Sequence, residues 1–322
     1  MQLSSKLQFE FASFIAALEQ GYFREAGLDV SLKEWFPGVN VAKEVAEGRA
    51  DFGTLDSSLI VERANGRPVV ALAALMQHSA VGLLLRRQAE TLSASDLAGK
   101  RVGTSKDTES EVLAYLQASG VSSGEFRHLP QIGDARRAVL EDKVDAVGVF
   151  IGDDAVRELG GRSDFLLLSP RSAGVDLYGT VLLTSESLLE AQPAMVRAFR
   201  SATLKGLDYA LDHPQELVNL ILARYNTQHK SREQLLFEAR QIGELSRPAN
   251  VALGAMSIAR WRHVLEVYSA QGSVKPGADL LGFVYDPDAG RLGPLLPWML
   301  GGAILGLLAV GWGLRRFLAR EN

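Results

Sequence analysis

The sequence predicts a mixed α/β protein that is followed by a C-terminal transmembrane helix. Strand-like and helical segments alternate up to about residue 183 of the 322, as in sheets that are covered by helices. The continuous apolar run at residues 69–76 has the composition of a strand buried on both faces. Residues 294–314 contain no charged side chain, and a bilayer core requires about 20 apolar residues in succession.

The opening segment predicts a β-α-β arrangement after a first helix. Ala12, Ile15 and Leu18 recur at helical spacing, and Gly27 suits the left-handed position that ends a helix. The elements that follow are a strand, a helix and a short strand, at residues 29–35, 41–47 and 50–55. Strands of such a unit run parallel, and ligands bind at their carboxyl ends.

The later segments continue this alternation and then become helical. Strands are predicted at residues 69–76, 83–86, 101–103, 144–150 and 175–183, and helices at 57–65, 108–118 and 134–142. Asp134 is predicted to cap the last of these helices. Residues 186–271 predict several helices that are interrupted at Pro193, Pro214 and Pro248, and Ser231 with Gln234 forms a capping-box pattern.

Composition excludes several classes of function. The formal net charge is −4 and no cluster of Lys and Arg forms a basic patch, so no nucleic-acid partner is expected. The chain contains no cysteine, which excludes disulfides, thiolate metal sites and cysteine nucleophiles. Its five histidines lack metal-ligand spacing and no catalytic motif is present, so we predict no catalytic residue, no metal and no cofactor.

The C-terminal segment predicts a membrane topology. Trp298 and Trp312 lie near the two ends of the charge-free stretch, where interfacial aromatic residues belong. Basic residues follow it directly at Arg315, Arg316 and Arg320, which places the C-terminus in the cytoplasm and the large domain outside. We expect a linker at residues 286–293, the membrane helix at 294–314 and a cytoplasmic tail at 315–322. The first residues lack the apolar core of a signal peptide, so either an N-terminal leader is missing or the domain stays inside the cell with the terminal helix as a tail anchor. The arginines after the helix disfavour the tail anchor, so we expect a missing leader, and any output domain after the tail would be missing too.

Several segments resemble one family of proteins. The runs QFEFASFIAALEQGYFREAGLDV, VAEGRADFG, DLAGKRVG, VDLYGTVLLTSE and SREQLLFEARQI resemble the sulfonate-binding/THI5-like (NMT1) solute-binding proteins. The resemblance covers roughly residues 2–285 and implies a two-lobed type II periplasmic-binding-protein fold that closes on a ligand. Lobe one is expected at about residues 1–80 and 177–285, and lobe two at about 81–176. Within this group, the sequence most resembles extracytoplasmic sensor modules of histidine kinases and diguanylate cyclases. It also resembles proteins that bind thiamine-precursor pyrimidines.

Residues expected at strand ends and at the crossings between lobes are the candidates for ligand binding. They are Phe11, Trp35, Asp56, Ser57, Gln77, His78, Lys106, Thr108, Phe150, Asp153, Tyr178 and Gly179. Aromatic rings would stack on a flat heteroaromatic ligand and Asp56 would accept a hydrogen bond from it, although Asp56 also suits a helix cap. Lys106 and Thr108 at a helix N-terminus would bind an anion, with Thr108 as a simple cap the alternative. His78 could titrate near neutral pH or be a loop residue without a ligand, and the resemblance implies that Tyr178-Gly179 faces the ligand.

We therefore predict a membrane-anchored, extracytoplasmic solute-binding domain that is not an enzyme. Its ligand would be a small nitrogenous aromatic or anionic molecule, of the thiamine-precursor pyrimidine or sulfonate class. The domain would serve ABC-type uptake or signalling, with an ABC permease or an output domain as its partner at the cytoplasmic membrane. Two alternatives stay open: a thiamine-pyrimidine synthase, whose cysteine-rich motif this chain lacks, and an interaction domain that binds no ligand.

Overall fold

The computed structural model describes residues 1–87 and 93–287, and residues 1–284 form one compact unit. This unit contains two sheets, so the mixed α/β class is confirmed. The strands are β1 (Phe52–Leu55), β2 (Val69–Ala74), β3 (Val81–Arg86), β4 (Arg101–Gly103), β5 (Arg127–Leu129), β6 (Ala146–Phe150), β7 (Phe165–Leu168) and β8 (Val181–Ser185).

Helices cover both sheets. They are α1 (Ala12–Glu19), α2 (Tyr22–Glu25), α3 (Val41–Ala46), α4 (Leu59–Ala64), α5 (Glu109–Ala118), α6 (Ala135–Leu140), α7 (Asp154–Leu159), α8 (Glu186–Ala191), α9 (Pro193–Asp212), α10 (Pro214–Leu220), α11 (Arg232–Ser246) and α12 (Ile258–Ala270). Short 3₁₀ segments lie at Phe9–Phe11, Ala94–Leu97 and Pro170–Ala173, and a π-helical turn at Ile221–Tyr225. We call the first sheet with α1–α4 and α8–α12 lobe one, and the second sheet with α5–α7 lobe two.

The sheet of lobe one has the order β1-β8-β2, with β8 antiparallel to both neighbours. All residues of β2 and β8 are buried, as the apolar run in β2 predicts. The expected parallel direction holds for β1 and β2 and for the bridges of Gln2 with Lys33 and Gly53, but β1 and β2 are not neighbours, because β8 returns from lobe two and inserts between them. The predicted strand at residues 29–35 is wrong. Only an isolated bridge joins Lys33 to Gln2, and Lys33 N donates to Met1 O at 3.0 Å. No strand forms because this segment is half-exposed and does not pair with a strand of several residues.

The sheet of lobe two has the order β5-β4-β6-β3-β7. Strand β4 is parallel to β5 and β6, whereas β3 is antiparallel to β6 and β7. The chain enters this sheet between β2 and β3 and leaves it between β7 and β8. The carboxyl ends of β4 and β6 therefore lie at the same edge, which positions the loops that follow them.

Each lobe has its own apolar core. In lobe one, Phe199 stacks on Phe52 and Phe23, with ring centroids 3.8 Å and 5.0 Å away. In lobe two, apolar clusters cover the sheet with α5 on one side and with α6 and α7 on the other. Burial of these side chains supplies the main driving force for folding.

Contacts between the lobes lie on two sides. On one side, Arg157 of α7 pairs with Glu233 of α11 at 2.9 Å, and Gln234 donates to Asp154. On the other side, α5 packs against α12, and Gln117 Nε2 donates to Ala270 O at 3.2 Å. The region between these contacts is the candidate site.

Residues 1–87 and 93–287 contain no helix with the length and apolar character that membrane crossing demands. The predicted membrane helix at 294–314 and tail at 315–322, with the linker from residue 288 onward, lie outside the residues that the structure describes.

Candidate ligand-binding cleft

The two crossings between the lobes meet at a tightly bonded junction. Ser57 Oγ donates to Tyr178 O at 2.9 Å, and Gly179 N donates to Met76 O at 3.1 Å. A Cβ on Gly179 would lie 2.8 Å from His78 O, so the crossing segments approach too closely for any side chain there. Ser57 and Tyr178 are buried, and their polar groups serve this junction.

Arg260 of α12 connects the remaining junction residues. Its guanidinium lies 4.1 Å from the centroid of the Tyr178 ring, and its Nη2 donates to Asp176 Oδ1 at 3.0 Å. His78 Nδ1 is 2.7 Å from the same carboxylate oxygen. Gln77 is buried and donates to Ala255 O at 2.9 Å. The structure thus brings five predicted residues together, but their polar groups bond to the protein.

A second polar cluster lies at the start of the first helix. Glu10 Oε1 accepts from Thr180 Oγ1 at 2.7 Å, and Glu10 N donates to Glu238 Oε1 at 3.3 Å. Lys230 Nζ donates to Glu238 Oε2 at 3.1 Å. Burial raises the pKa of Glu238 to about 7, and burial also raises the pKa of Glu10. Two carboxyl groups therefore share one ammonium group in a poorly solvated position.

The loop after β6 brings lobe two onto this cluster. A Cβ on Gly152 would lie 3.3 Å from Glu238 Cγ, so the loop touches α11. Burial raises the pKa of the neighbouring Asp153, and the charge of Lys230 opposes this rise. A pocket of 430 Å³ opens here between the lobes. Its lining includes Arg136, Asp153, Asp154, Glu158, Lys230 and Gln234.

Further carboxyl groups lie where α5 approaches lobe one. Asp56 follows β1, and its Oδ1 accepts from Ser58 N at 2.8 Å. Asp56 is accessible to solvent, but the protein packed around it raises its pKa, and the negative charge of Asp107 in lobe two adds to this rise. Burial raises the pKa of Glu111, in the first turn of α5, to about 8. Facing walls of the cleft therefore both carry acidic groups.

Other predicted site residues have different surroundings. The side chain of Phe11 is completely buried, so it is a core residue, because the segment before α1 turns it inward. Thr108 is buried too; it occupies the N-cap position of α5, but its Oγ1 accepts from Ser105 N at 3.1 Å and not from an N–H group of the helix. Trp35 is half-buried against the core of lobe one, with Nε1 donating to Val39 O at 3.1 Å. Lys106 is exposed, and Phe150 is 36% exposed at the end of β6.

Sequence patterns alone did not identify the buried acidic residues. Glu238 occupies the apolar face of α11 together with Leu235, Ala239 and Ile242. Burying a glutamate at such a position costs free energy unless the carboxyl group has a partner. A glutamate on an apolar helix face is therefore a sequence signal for a buried polar site. Glu10 between Phe9 and Phe11 is a similar case. The ion pair between Glu238 and Lys230 could not be predicted from the sequence around either residue.

Comparison with known proteins gives the family. Residues 8–217 match the profile of the family described as NMT1/THI5 like. The chain belongs to the NMT1/THI5-like family. The resemblance seen in the sequence is thereby confirmed.

Three relatives show the range of proteins that resemble this NMT1/THI5-like chain. The riboflavin-binding protein RibY of Chloroflexus aurantiacus is 29% identical over 74% of this chain and 66% of its own length. The formylaminopyrimidine-binding protein of Halalkalibacterium halodurans is 26% identical over 64% of each chain. A 4-amino-5-hydroxymethyl-2-methylpyrimidine phosphate synthase of Legionella pneumophila is 23% identical over 64% of this chain and 67% of its own length. The chain thus spans about two thirds of the length of these relatives.

Solved structures confirm the fold. The periplasmic aliphatic sulphonate binding protein SsuA of Escherichia coli superposes with a TM-score of 0.71 at 16% identity. The match covers 89% of this chain and 92% of SsuA. The NMT1/THI5-like chain therefore has the periplasmic-binding-protein fold.

Proposed function

We propose that this chain is a solute-binding domain that closes on a small nitrogenous heterocycle between its two lobes. The observation that carries the proposal is the acidic character of both cleft walls. Lobe one contributes Glu10, Asp56 and Glu238, with Lys230 paired to Glu238, and lobe two contributes Asp107 and Asp153, with Arg136 paired to Glu158. Such walls favour ligands that are rich in N–H donors or carry positive charge.

The same walls disfavour a sulfonate. Lys106 was the predicted anion-binding residue, yet it lies beside Asp107, which interacts electrostatically with Asp56. An anion at this helix N-terminus would approach two carboxylates, and like charges repel most strongly in a cleft with little water. Of the two predicted ligand classes, the aminopyrimidine class therefore fits better. Two relatives are named as a riboflavin-binding protein and a formylaminopyrimidine-binding protein, which supports a nitrogenous heterocycle as the ligand.

We propose specific roles for the exposed cleft residues. Asp56 and Asp153 would accept hydrogen bonds from ligand N–H groups, and the ring of Phe150 would stack on the heterocycle. The junction residues Tyr178 and Gly179 would set the geometry of the crossings. Ligand that contacts both lobes stabilises the closed arrangement, because open lobes offer only half of the contacts.

The setting of the domain is also a proposal. We propose lobe boundaries near residues 80 and 177, an extracytoplasmic location, and anchoring by residues 294–314. The charge-free stretch and the arginines after it support the anchor. The output would be ABC-type uptake or signalling through a separate domain or partner.

A ligand panel tests the proposed binding. The purified full-length chain is heated with 4-amino-5-hydroxymethyl-2-methylpyrimidine, riboflavin or an alkanesulfonate, and the melting temperature is recorded. At 100 times Kd, a heterocycle should stabilise the fold by about 2.7 kcal/mol. The Asp153→Asn variant should need more ligand for the same shift, whereas Asp279→Asn, at an exposed position whose carboxylate accepts from Leu281 N and does not line the pocket, should match the wild type. Stabilisation by the sulfonate alone would refute the proposal.

The synthase is the second candidate, because one relative is named as such an enzyme. A binding protein holds its ligand unchanged, whereas an enzyme stabilises a transition state. Incubation of the full-length chain with pyridoxal phosphate, iron and oxygen should yield no pyrimidine product by mass spectrometry. Product above that of a heat-denatured sample would favour the synthase.

A further inference from the structure

Glu111 is a buried carboxyl group with one unused oxygen. It is 8% exposed, and its Oε2 accepts from Ser79 Oγ at 2.6 Å. Ser79 Oγ in turn accepts from Val81 N at 3.1 Å, which directs the hydroxyl proton toward Glu111. Within residues 1–87 and 93–287, Oε1 has no hydrogen-bond partner. Unlike the sealed and unpartnered hydroxyl groups of Ser13 and Thr203, this oxygen keeps contact with solvent, so a small molecule can reach it.

The charges around Glu111 favour its protonated form. Asp56 and Asp176 are the acidic groups whose charges act on it, and α12 presents Tyr268. Burial is the main cause that raises its pKa to about 8, and the two aspartates add to the rise. At neutral pH Glu111 therefore holds a proton.

Charged groups on the elements that pack against α5 or the nearby crossing are engaged elsewhere. Arg86 of β3 donates to Val139 O at 3.3 Å, and the Asp96 carboxylate accepts from Ser93 N at 2.9 Å. Arg171, His78 and Arg260 all lie within 3.7 Å of the Asp176 carboxylate. Within the described part of the chain, no cation pairs with Glu111.

A neutral carboxylic acid recognises a hydrogen-bond acceptor, unlike the carboxylates around it. We infer that Glu111 is a specificity-determining residue whose Oε1 shares one proton with a ring nitrogen of the ligand, while Asp56 accepts from the adjacent amino group. The pair holds one proton in total, whether the carboxyl oxygen or the ring nitrogen carries it. This inference rests on the proposed function. It adds which edge of the heterocycle the protein recognises, namely the ring nitrogen together with the adjacent amino group.

The pH dependence of binding tests this role. The full-length chain is titrated calorimetrically with 4-amino-5-hydroxymethyl-2-methylpyrimidine between pH 7 and pH 10. Deprotonation of free Glu111 removes the shared proton, so Kd should rise about tenfold per pH unit above pH 8. Glu111→Gln keeps a donor at this position, so its Kd should stay flat over the same range. Glu111→Leu should weaken binding at pH 7 at least about tenfold, the loss of one well-placed hydrogen bond to a charged or proton-sharing group.

Controls separate the possible outcomes. Glu109→Gln, in the same turn of α5, should reproduce the wild-type pH profile. If Glu111→Leu does not fold, the difference between the pH profiles of wild type and Glu111→Gln still tests the role of Glu111. The same pH profile in wild type and Glu111→Gln would overturn the inference and leave the proposed function intact. No binding of the probe by the wild type at any pH would overturn both.

Discussion

Replacing Glu238 by glutamine should change how the stability of the protein depends on pH. Glu238 is 4% exposed, and burial raises its pKa from an ordinary value of 4.5 to about 7. A carboxyl group whose pKa is raised on folding stabilises the fold below its unfolded pKa. That stabilisation is lost as the pH rises through the folded pKa. The wild type should therefore lose stability, relative to the variant, between pH 4.5 and pH 8.

The magnitude follows from the size of the pKa change. One pKa unit corresponds to about 1.4 kcal/mol, so the rise of Glu238 corresponds to about 3 kcal/mol over this pH range. The variant also loses the ion pair with Lys230. This ion pair forms only as Glu238 ionises, and the pKa of about 7 already includes it, so the change in the difference with pH reports the titration of Glu238 as a whole.

Urea denaturation followed by tryptophan fluorescence measures the effect, since Trp261 is completely buried. The free energy of unfolding is determined for both proteins at pH 4.5, 6 and 8. Glu244→Gln on the same helix is the control, because Glu244 is exposed. Parallel pH curves for wild type and Glu238→Gln would refute the reasoning that burial dominates at this site.

Two further substitutions test the junction and the first lobe. Gly179→Ala should destabilise the fold by about 1–3 kcal/mol in urea denaturation, because its Cβ would lie 2.8 Å from His78 O and from Met76 Cβ. The control is Gly161→Ala, because a Cβ at Gly161 would meet open space. Equal stability of the two variants would contradict the close approach at Gly179. Trp35→Ala should lower the melting temperature of the ligand-free protein, because the indole packs on the core of lobe one and donates to Val39 O. An unchanged melting temperature would indicate that Trp35 is a cleft residue that does not stabilise the core.

Local elements were predictable where the sequence carries a local physical signal. The apolar run from Val69 yields β2, and Asp134 caps α6 by accepting from Arg137 N at 2.9 Å. Ser231 and Gln234 form the predicted capping box of α11. Each of these features depends on residues within one turn or one strand, so a single segment contains the information.

The pairing of distant segments was not predictable in the same way. Strand β8 inserts between β1 and β2, more than 100 residues earlier in the chain, and no local pattern specifies its direction. Residues 29–35 alternate as a strand does, yet a strand also needs a long partner. Period and composition describe the faces of an element, but not which element covers them.

The candidate site shows the same limit. Positions at strand ends were predictable from topology, and Asp56 and Asp153 do lie on facing lobes. Whether a side chain is free depends on its tertiary partners: Tyr178 accepts from Ser257 N at 3.0 Å, and Gln77 donates to Ala255 O. The raised pKa values of Glu111 and Glu238 depend on burial that arises only when helices pack.

The central claim is that a nitrogenous heterocycle binds between acidic walls of the two lobes. A crystal structure of the chain with 4-amino-5-hydroxymethyl-2-methylpyrimidine tests it most directly. We predict that the ring lies between the lobes with its nitrogen atoms within hydrogen-bond distance of Asp56 or Asp153. A ring bound on the outer surface of either lobe, or a cleft that stays empty at saturating ligand, would contradict the claim.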